Sequence, residues 1–216
     1  GACAQGWISP RAMRNGIIVT VLFACLIGSA LLFYAGWELI IVGLLCVLFA
    51  FLYTTGPYPL SYNGWGDVLV IVFFGFVPVG GTYYVQALTW TSDTTVASLI
   101  CGLLIDTLLV VNNYRDREAD ARSGKRTVIV RFGEKFGRYL YLMLGVAASL
   151  LCFWFFFEGH LFAALLPLLY LIPHVLTWRR MVQIHSGKKL NSILGETSRN
   201  MLLMGILLSI GFLIRH

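Results

Sequence analysis

The chain has 216 residues, of which 58% are hydrophobic and only 12% are charged. Soluble domains carry charge on roughly a quarter of their residues, so this composition excludes a soluble domain and indicates a polytopic membrane protein. The net charge of +6 is divided between separate juxtamembrane regions. This distribution argues against nucleic-acid binding, which uses a continuous basic patch.

Seven apolar segments follow one another along the chain. They cover residues 16–34, 39–53, 68–87, 94–111, 139–157, 161–178 and 201–214. We expect helices, because the alternating pattern of a membrane barrel is missing and helices are the other structure that spans a bilayer. A span takes about 20 residues, so the second and seventh segments should recruit flanking residues. The sequence therefore predicts an all-α, polytopic transmembrane helical bundle that forms a single domain over residues 1–216.

The positively charged residues are confined to one side of this bundle. Of the 16 Lys and Arg residues, 15 precede the first segment or follow the fourth and sixth, and the last is Arg215. By the positive-inside rule that side is cytoplasmic. The connections on the same side, residues 54–67, 112–138 and 179–200, are much longer than the turns opposite. We therefore expect an integral protein of the bacterial cytoplasmic membrane with its active site on the cytoplasmic face.

The connection at residues 54–67 is rich in turn-forming and aromatic residues and contains no Lys or Arg. One interpretation is a structured turn with aromatic anchors at the membrane interface. The other is a cap over the active site in which Tyr62 and Asn63 bind the substrate. Asp67 at its end is the N-cap of the third segment, a further metal ligand, or both.

Two features inside the apolar segments point to special roles. Pro78, Gly80 and Gly81 in the third segment indicate a kink or a close contact between helices. Asp106 lies within the fourth segment, where an ionisable residue is costly and is a candidate for function. We expect Asp106 to contact the polar part of a substrate or to hold a cation. The alternative is a structural carboxyl group satisfied by hydrogen bonds.

The most informative pattern follows the fourth segment. Asn112, Asp116 and Asp120 are spaced by four residues, which places them on one face if the helix continues. An amide and two carboxylates form an oxygen-only surface, and Mg²⁺ binds such surfaces while it shares the oxygens of a substrate phosphate. We therefore predict these three residues as Mg²⁺ ligands, with Asn113 beside them in substrate binding. The alternative is a solvated helix face with charge pairs.

Cations surround these acids. They are Arg115, Arg117, Arg122, Lys125 and Arg126. Charge-assisted hydrogen bonds from Arg and Lys suit a polyanion held over a metal, so the pattern predicts diphosphate chemistry on a lipid. We assign Arg115 to substrate binding, and Lys125 and Arg126 to neutralising the charge on the diphosphate. With Asp116 and Asp120 they form the predicted catalytic set.

These motifs resemble those of the UbiA-type intramembrane prenyltransferases, and the resemblance covers nearly the whole chain. The matching motifs are Asn112-Asn113-x-Arg115-Asp116-x-x-x-Asp120, Gly124-Lys125-Arg126-Thr127, Tyr53-Thr54-x-Gly56-Pro57, Tyr62-Asn63-Gly64 and Gln5-Gly6-x-Ile8-Ser9-Pro10-Arg11. The resemblance is strongest to the branch that acts in menaquinone biosynthesis. It implies a Mg²⁺-dependent transfer from polyprenyl diphosphate to 1,4-dihydroxy-2-naphthoate, with loss of diphosphate and CO₂. The implied partners are these substrates and the lipid bilayer, with no obligatory protein partner.

Two alternatives stay open. One is another aromatic prenyltransferase of the same family, and the other is a non-enzymatic transporter or scaffold whose basic connections only hold the topology. The family fold has nine helices and two Asp-rich motifs, whereas this sequence shows seven segments and the second motif. We therefore expect a chain truncated at its N-terminus by two helices. We also expect this short form to be inactive, because one wall of the metal site would be missing.

Overall fold

The computed structural model of the protein describes residues 6–214 and shows a bundle of seven long helices. The helices are α1 (Pro10–Phe33), α2 (Glu38–Thr54), α3 (Gly66–Ala87), α4 (Ser92–Arg122), α5 (Glu134–Phe157), α6 (Leu161–Ile184) and α7 (Lys188–Leu213). A short helix, Val128–Phe132, lies between α4 and α5. Within residues 6–214 the chain forms only helices and turns, which confirms the predicted all-α class. Cys3, Gln5 of the opening motif and Arg215 lie outside the described residues.

Six of the seven helices are long and apolar enough to cross a membrane, which marks the chain as an integral membrane protein. The last segment recruits flanking residues as predicted, because α7 begins at Lys188. The second segment stays short, since α2 has 17 residues. That is about 26 Å of helix against a hydrocarbon core of about 30 Å. The helix stops because Thr55 is extended and Gly56 has a φ of +95°, which favours glycine.

The basic connections are shorter than the sequence indicates, because much of their length is helical. α4 continues to Arg122, α6 continues to Ile184, and α7 starts at Lys188. The connections over residues 112–138 and 179–200 are therefore shorter than expected, whereas the helix over residues 112–120 agrees with the predicted stripe. Polarity marks where a helix leaves the apolar layer, and the Arg, Glu and Ala residues in the last turns of α4 are good helix formers.

α4 is the centre of the bundle and packs against α3, α5 and α7. One apolar cluster is built around Ile100 and Met204. A second cluster, built around Tyr114 and Ile193, lies nearer to the end of the bundle where α2, α4 and α6 finish. We call this end the basic end. α1 and α2 contain no buried residue, so α3 to α7 form the packed body that positions the site.

α3 approaches α4 closely through glycine. Residues Ile71–Gly80 form a π-helical stretch, and Gly75 within it leaves no room for a Cβ because it lies directly against Gly102 of α4. Gly80 lies in the same way against the ring of Trp90. Small residues at helix contacts let the backbones approach. The segment does approach another helix, but at Gly75 rather than at the predicted residues, because Gly80 meets a ring outside the helices and Gly81 has open space around it.

Candidate active site

The predicted stripe of oxygen ligands lies on α4, near its end. The helix runs without interruption from Ser92 to Arg122, so Asn112, Asp116 and Asp120 share one face, as predicted. The Asp116 side chain is partly open to solvent, whereas that of Asp120 is mostly buried. One helix therefore presents both carboxylates and the amide at the basic end.

The guanidinium of Arg115 holds two of these three residues. It donates to both carboxylate oxygens of Asp116, at 2.7 Å and 2.6 Å, and to Oδ1 of Asn112 at 2.7 Å. It also donates to Oδ1 of Asn191 on α7, at 2.9 Å. A two-pronged contact of this kind is the strong geometry between Arg and a carboxylate. An incoming phosphate would therefore compete with Asp116 for donors that are already in place.

Asp120 is paired with a different cation. Nζ of Lys125 lies 3.3 Å from Oδ2 of Asp120, without the alignment of a directed hydrogen bond. The Lys125 N–H and the Ser123 hydroxyl both donate to the Asp120 carbonyl, each at 2.9 Å. Gly124 allows this turn with a φ of +77°, which residues with a Cβ rarely adopt. The turn, rather than the helix, brings the ammonium group back to the stripe.

The connection between α2 and α3 closes over this turn and forms a cap. The Arg126 N–H donates to the Tyr62 carbonyl at 2.7 Å. The guanidinium of Arg131 donates to the carbonyls of Asn63 and Arg126, at 2.7 Å and 3.1 Å. The side-chain amide of Asn63 donates to the Pro59 carbonyl at 2.8 Å. Asn63 and Arg126 thus shape the cap, and their predicted contacts with substrate stay predictions.

A cavity of about 300 Å³ lies between the cap and α4. Its polar lining includes Tyr53, Ser61, Tyr62, Asp67, Asn112, Asn113, Lys125 and Thr127. Four of the predicted site residues are therefore in the wall, namely Tyr62, Asn112, Asn113 and Lys125. The others stand outside the wall, namely Asn63, Asp106, Arg115, Asp116, Asp120 and Arg126. Tyr53, Ser61 and Thr127 in this wall were not among the predicted site residues, although Tyr53 and Thr127 occur in the matching family motifs.

Two further carboxylates are notable here, one in the cavity wall and one on α4 outside it. Asp67 lines the cavity, and Asp106 is only 1% exposed. Oδ1 of each is buried without a hydrogen-bond partner in the described chain. The predicted N-cap role of Asp67 is wrong, because α3 begins at Gly66 with Trp65 at its N-cap and Asp67 in its first turn. Buried carboxylates without partners are costly, so this arrangement favours a ligand near them.

A second polar cluster stabilises the basic end. Glu134 at the start of α5 accepts from the Tyr114 hydroxyl at 3.0 Å and from Arg117 at 3.2 Å, and it pairs with Arg138. Arg117 also contacts Nδ1 of His185 at 3.2 Å. The ion pair between Glu134 and Arg138 could have been predicted from the sequence, because residues four apart meet on a helix. The contacts to α4 and to His185 depend on tertiary packing.

The chemistry of the stripe fits a hard divalent cation. Its donors are amide and carboxylate oxygens, which Mg²⁺ prefers, and Oδ2 of Asp120 is buried without a hydrogen bond. Within residues 6–214 no group of three His, Cys, Asp or Glu side chains converges as a complete metal site. An ion here would therefore complete its coordination with water and phosphate oxygens, as Mg²⁺ usually does. It would also compete with Arg115 for Asn112 and Asp116.

The chain matches the sequence model of the UbiA prenyltransferase family over residues 2–210. It is 36% identical to the 1,4-dihydroxy-2-naphthoate octaprenyltransferase of Haemophilus influenzae, over 97% of this chain and 70% of that protein. It is 38% and 39% identical to the proteins of the same name from Escherichia coli and Mycobacterium leprae, over 68% and 66% of this chain. The matches span about half the length of these last two relatives. No solved structure matches the chain.

Proposed function

The chain belongs to the UbiA prenyltransferase family, and from that premise we propose that its protein transfers a polyprenyl group from polyprenyl diphosphate to 1,4-dihydroxy-2-naphthoate. Diphosphate and CO₂ leave, and the product is a demethylmenaquinone of menaquinone biosynthesis. The chain's relatives from Haemophilus influenzae and Escherichia coli are octaprenyltransferases of this naphthoate, which supports both the donor and the acceptor.

One observation carries this proposal, namely that acids and cations meet at a capped cavity on one end of a membrane bundle. Asn112 and Lys125 line the cavity, and Asp116 and Asp120 continue the same face of α4. The long apolar helices provide the surroundings that a polyprenyl chain requires. A lipid diphosphate can therefore place its charged end at the stripe and its tail in the membrane.

The first chemical step breaks the allylic C–O bond and leaves negative charge on the diphosphate. Lys125 lies in the cavity wall and donates charge-assisted hydrogen bonds to that group, and Arg115 is held beside it by Asp116. Arg126 adds positive charge at the exposed rim. Donors fixed where charge develops usually supply the largest part of the catalytic effect.

Asn112, Asp116 and Asp120 are the residues that would hold Mg²⁺, with Asp67 as a further candidate in the cavity wall. When bound, Mg²⁺ supplies positive charge to the diphosphate. Tyr62 and Asn113 in the same wall contact the substrates. Asp106 lies outside this wall with Oδ1 buried and without a hydrogen-bond partner, and its contact with the acceptor stays a prediction. The cap limits the access of water to the allylic cation.

The proposed location is the bacterial cytoplasmic membrane, with the basic end in the cytoplasm. The positive-inside rule supports this orientation, because residues 112–138 and 179–200 at this end carry most of the Lys and Arg residues. Both substrates of such an enzyme meet at this face, the naphthoate from the cytoplasm and the polyprenyl diphosphate from the bilayer.

The test is Asp116→Asn and Asp120→Asn in the full-length protein, assayed in membranes with Mg²⁺, polyprenyl diphosphate and dihydroxynaphthoate. We expect each change to lower diphosphate release at least about 100-fold, the usual loss when a group that stabilises transition-state charge is removed. Glu118→Gln is the matched control, because Glu118 is an exposed acid on the same turn of α4.

Near-normal diphosphate release from both Asp variants would show that the acids are only a solvated helix face. An equal loss in Glu118→Gln would show that general charge, rather than the stripe, is responsible. Product formation from 4-hydroxybenzoate in place of the naphthoate would reassign the acceptor and leave prenyl transfer intact.

A further inference from the structure

A second cavity, of about 500 Å³, opens at the basic end between α6 and α7. Its residues differ from those that line the candidate active site. The apolar part of its lining is Pro173 and the exposed Leu176 on α6, followed toward the end of the helix by polar and basic residues. We call this surface the α6–α7 groove. It changes from apolar to cationic along one helix, as a site at a membrane interface does.

The floor of the groove is a fixed polar contact. The side-chain amide of Asn200 donates to Oγ1 of Thr177 at 2.9 Å and to the Pro173 carbonyl at 3.3 Å. Asn200 is 8% exposed and Thr177 is 3% exposed. This contact holds α6 and α7 together beneath the opening, so the groove is a formed feature of the bundle.

Three arginines surround the opening of the groove against a single carboxylate. They are Arg179, Arg180 and Arg199, and the carboxylate is Glu196. Arg180 pairs with Glu196. In the described part of the chain Arg179 and Arg199, both exposed, make no ion pair with an acid. Two guanidinium groups on facing helices are therefore available to one anion.

We propose that the α6–α7 groove binds the phosphate headgroup of an anionic glycerophospholipid, with Arg179 and Arg199 on the phosphate and an acyl chain along Leu176. Basic pockets between membrane helices on the cytoplasmic side bind such headgroups, and arginine suits phosphate because its planar fork matches the oxygens. A polyprenyl diphosphate fits less well. The single acid Glu196 cannot hold the metal that accompanies a diphosphate, and its charge repels a more highly charged anion.

The experiment measures lipid binding to the purified full-length protein in detergent by native mass spectrometry. Phosphatidylglycerol, phosphatidylcholine, polyprenyl diphosphate and inorganic phosphate are titrated separately. We expect preferential binding of phosphatidylglycerol. The double change Arg179→Ala with Arg199→Ala should weaken that binding about 25-fold, because each basic residue at an anionic interface contributes about fivefold.

The matched control is Lys188→Ala with Lys189→Ala, which removes two exposed cations at the start of α7 that lie outside the groove lining. It should leave the affinity for phosphatidylglycerol within about twofold, because these lysines do not line the groove. Glu196→Gln releases Arg180 from its partner and should tighten binding several-fold. This gain cannot arise from a variant that has lost its fold.

Equal weakening by the arginine and lysine pairs would overturn the proposal, because it would reduce the effect to general surface charge. Equal binding of phosphatidylcholine would also overturn it. Tighter binding of polyprenyl diphosphate than of phosphatidylglycerol would assign the groove to the prenyl donor instead. Displacement of the lipid by inorganic phosphate at equal concentration would show a free-phosphate site.

Discussion

Arg131 is expected to control how often the cap over the candidate active site opens. Arg131→Ala removes two hydrogen bonds, one to the Asn63 carbonyl at 2.7 Å and one to the Arg126 carbonyl at 3.1 Å. The backbone bond from Arg126 to the Tyr62 carbonyl remains. Each lost hydrogen bond contributes a net of about 0.7 kcal/mol, near the low end of the usual range because Arg131 is exposed. The free energy of opening the cap therefore falls by about 1.4 kcal/mol. That value corresponds to about a tenfold increase in the open fraction.

The assay is hydrogen–deuterium exchange of peptides from residues 58–65, measured on the full-length protein in nanodiscs. Exchange should become about tenfold faster, because amides in a cap that opens locally exchange in proportion to the open fraction. The KM for polyprenyl diphosphate should rise as well. Arg122→Ala is the control, since it removes an exposed cation at the end of α4. Unchanged exchange in Arg131→Ala, or the same increase in both variants, would refute the argument that these bonds hold the cap.

Two further changes test the packing of α3 and the buried carboxylate of α4. Gly75→Val should lower the thermal unfolding temperature, because the added side chain meets Gly102 and overpacking costs about 1–3 kcal/mol. Gly81 has open space around it, so Gly81→Ala should change the unfolding temperature little. An equal fall in both variants would contradict the close contact between Gly75 and Gly102. Asp106→Asn should keep or raise the unfolding temperature, because it removes the charge of a buried carboxylate whose Oδ1 has no hydrogen-bond partner, and should raise the KM for the naphthoate. A large fall in that temperature would make Asp106 a structural hydrogen-bonding group.

The helical bundle and the face of α4 were predictable, because both follow from local properties of the chain. Apolar length predicts a span, and a spacing of four residues places Asn112, Asp116 and Asp120 together on any helix. The ends of the helices were less predictable. The apolar pattern places the end of the fourth segment at residue 111, but α4 continues to Arg122 as a helix. An N-cap at Asp67 was one of the roles predicted for that residue, although α3 starts two residues earlier than this role requires.

The sequence by itself thus determined the class of the protein, the order of its seven helices and the residues that share the face of α4. The tertiary structure decided which partners those residues have. Arg115 reaches Asn191 across 76 positions of the chain, and Arg131 reaches Asn63 across 68. The tertiary structure also leaves Oδ1 of Asp106 buried without a hydrogen-bond partner. Such contacts arise because helices that are distant in the chain pack side by side, and the spacing of residues along one helix contains no information about its neighbours.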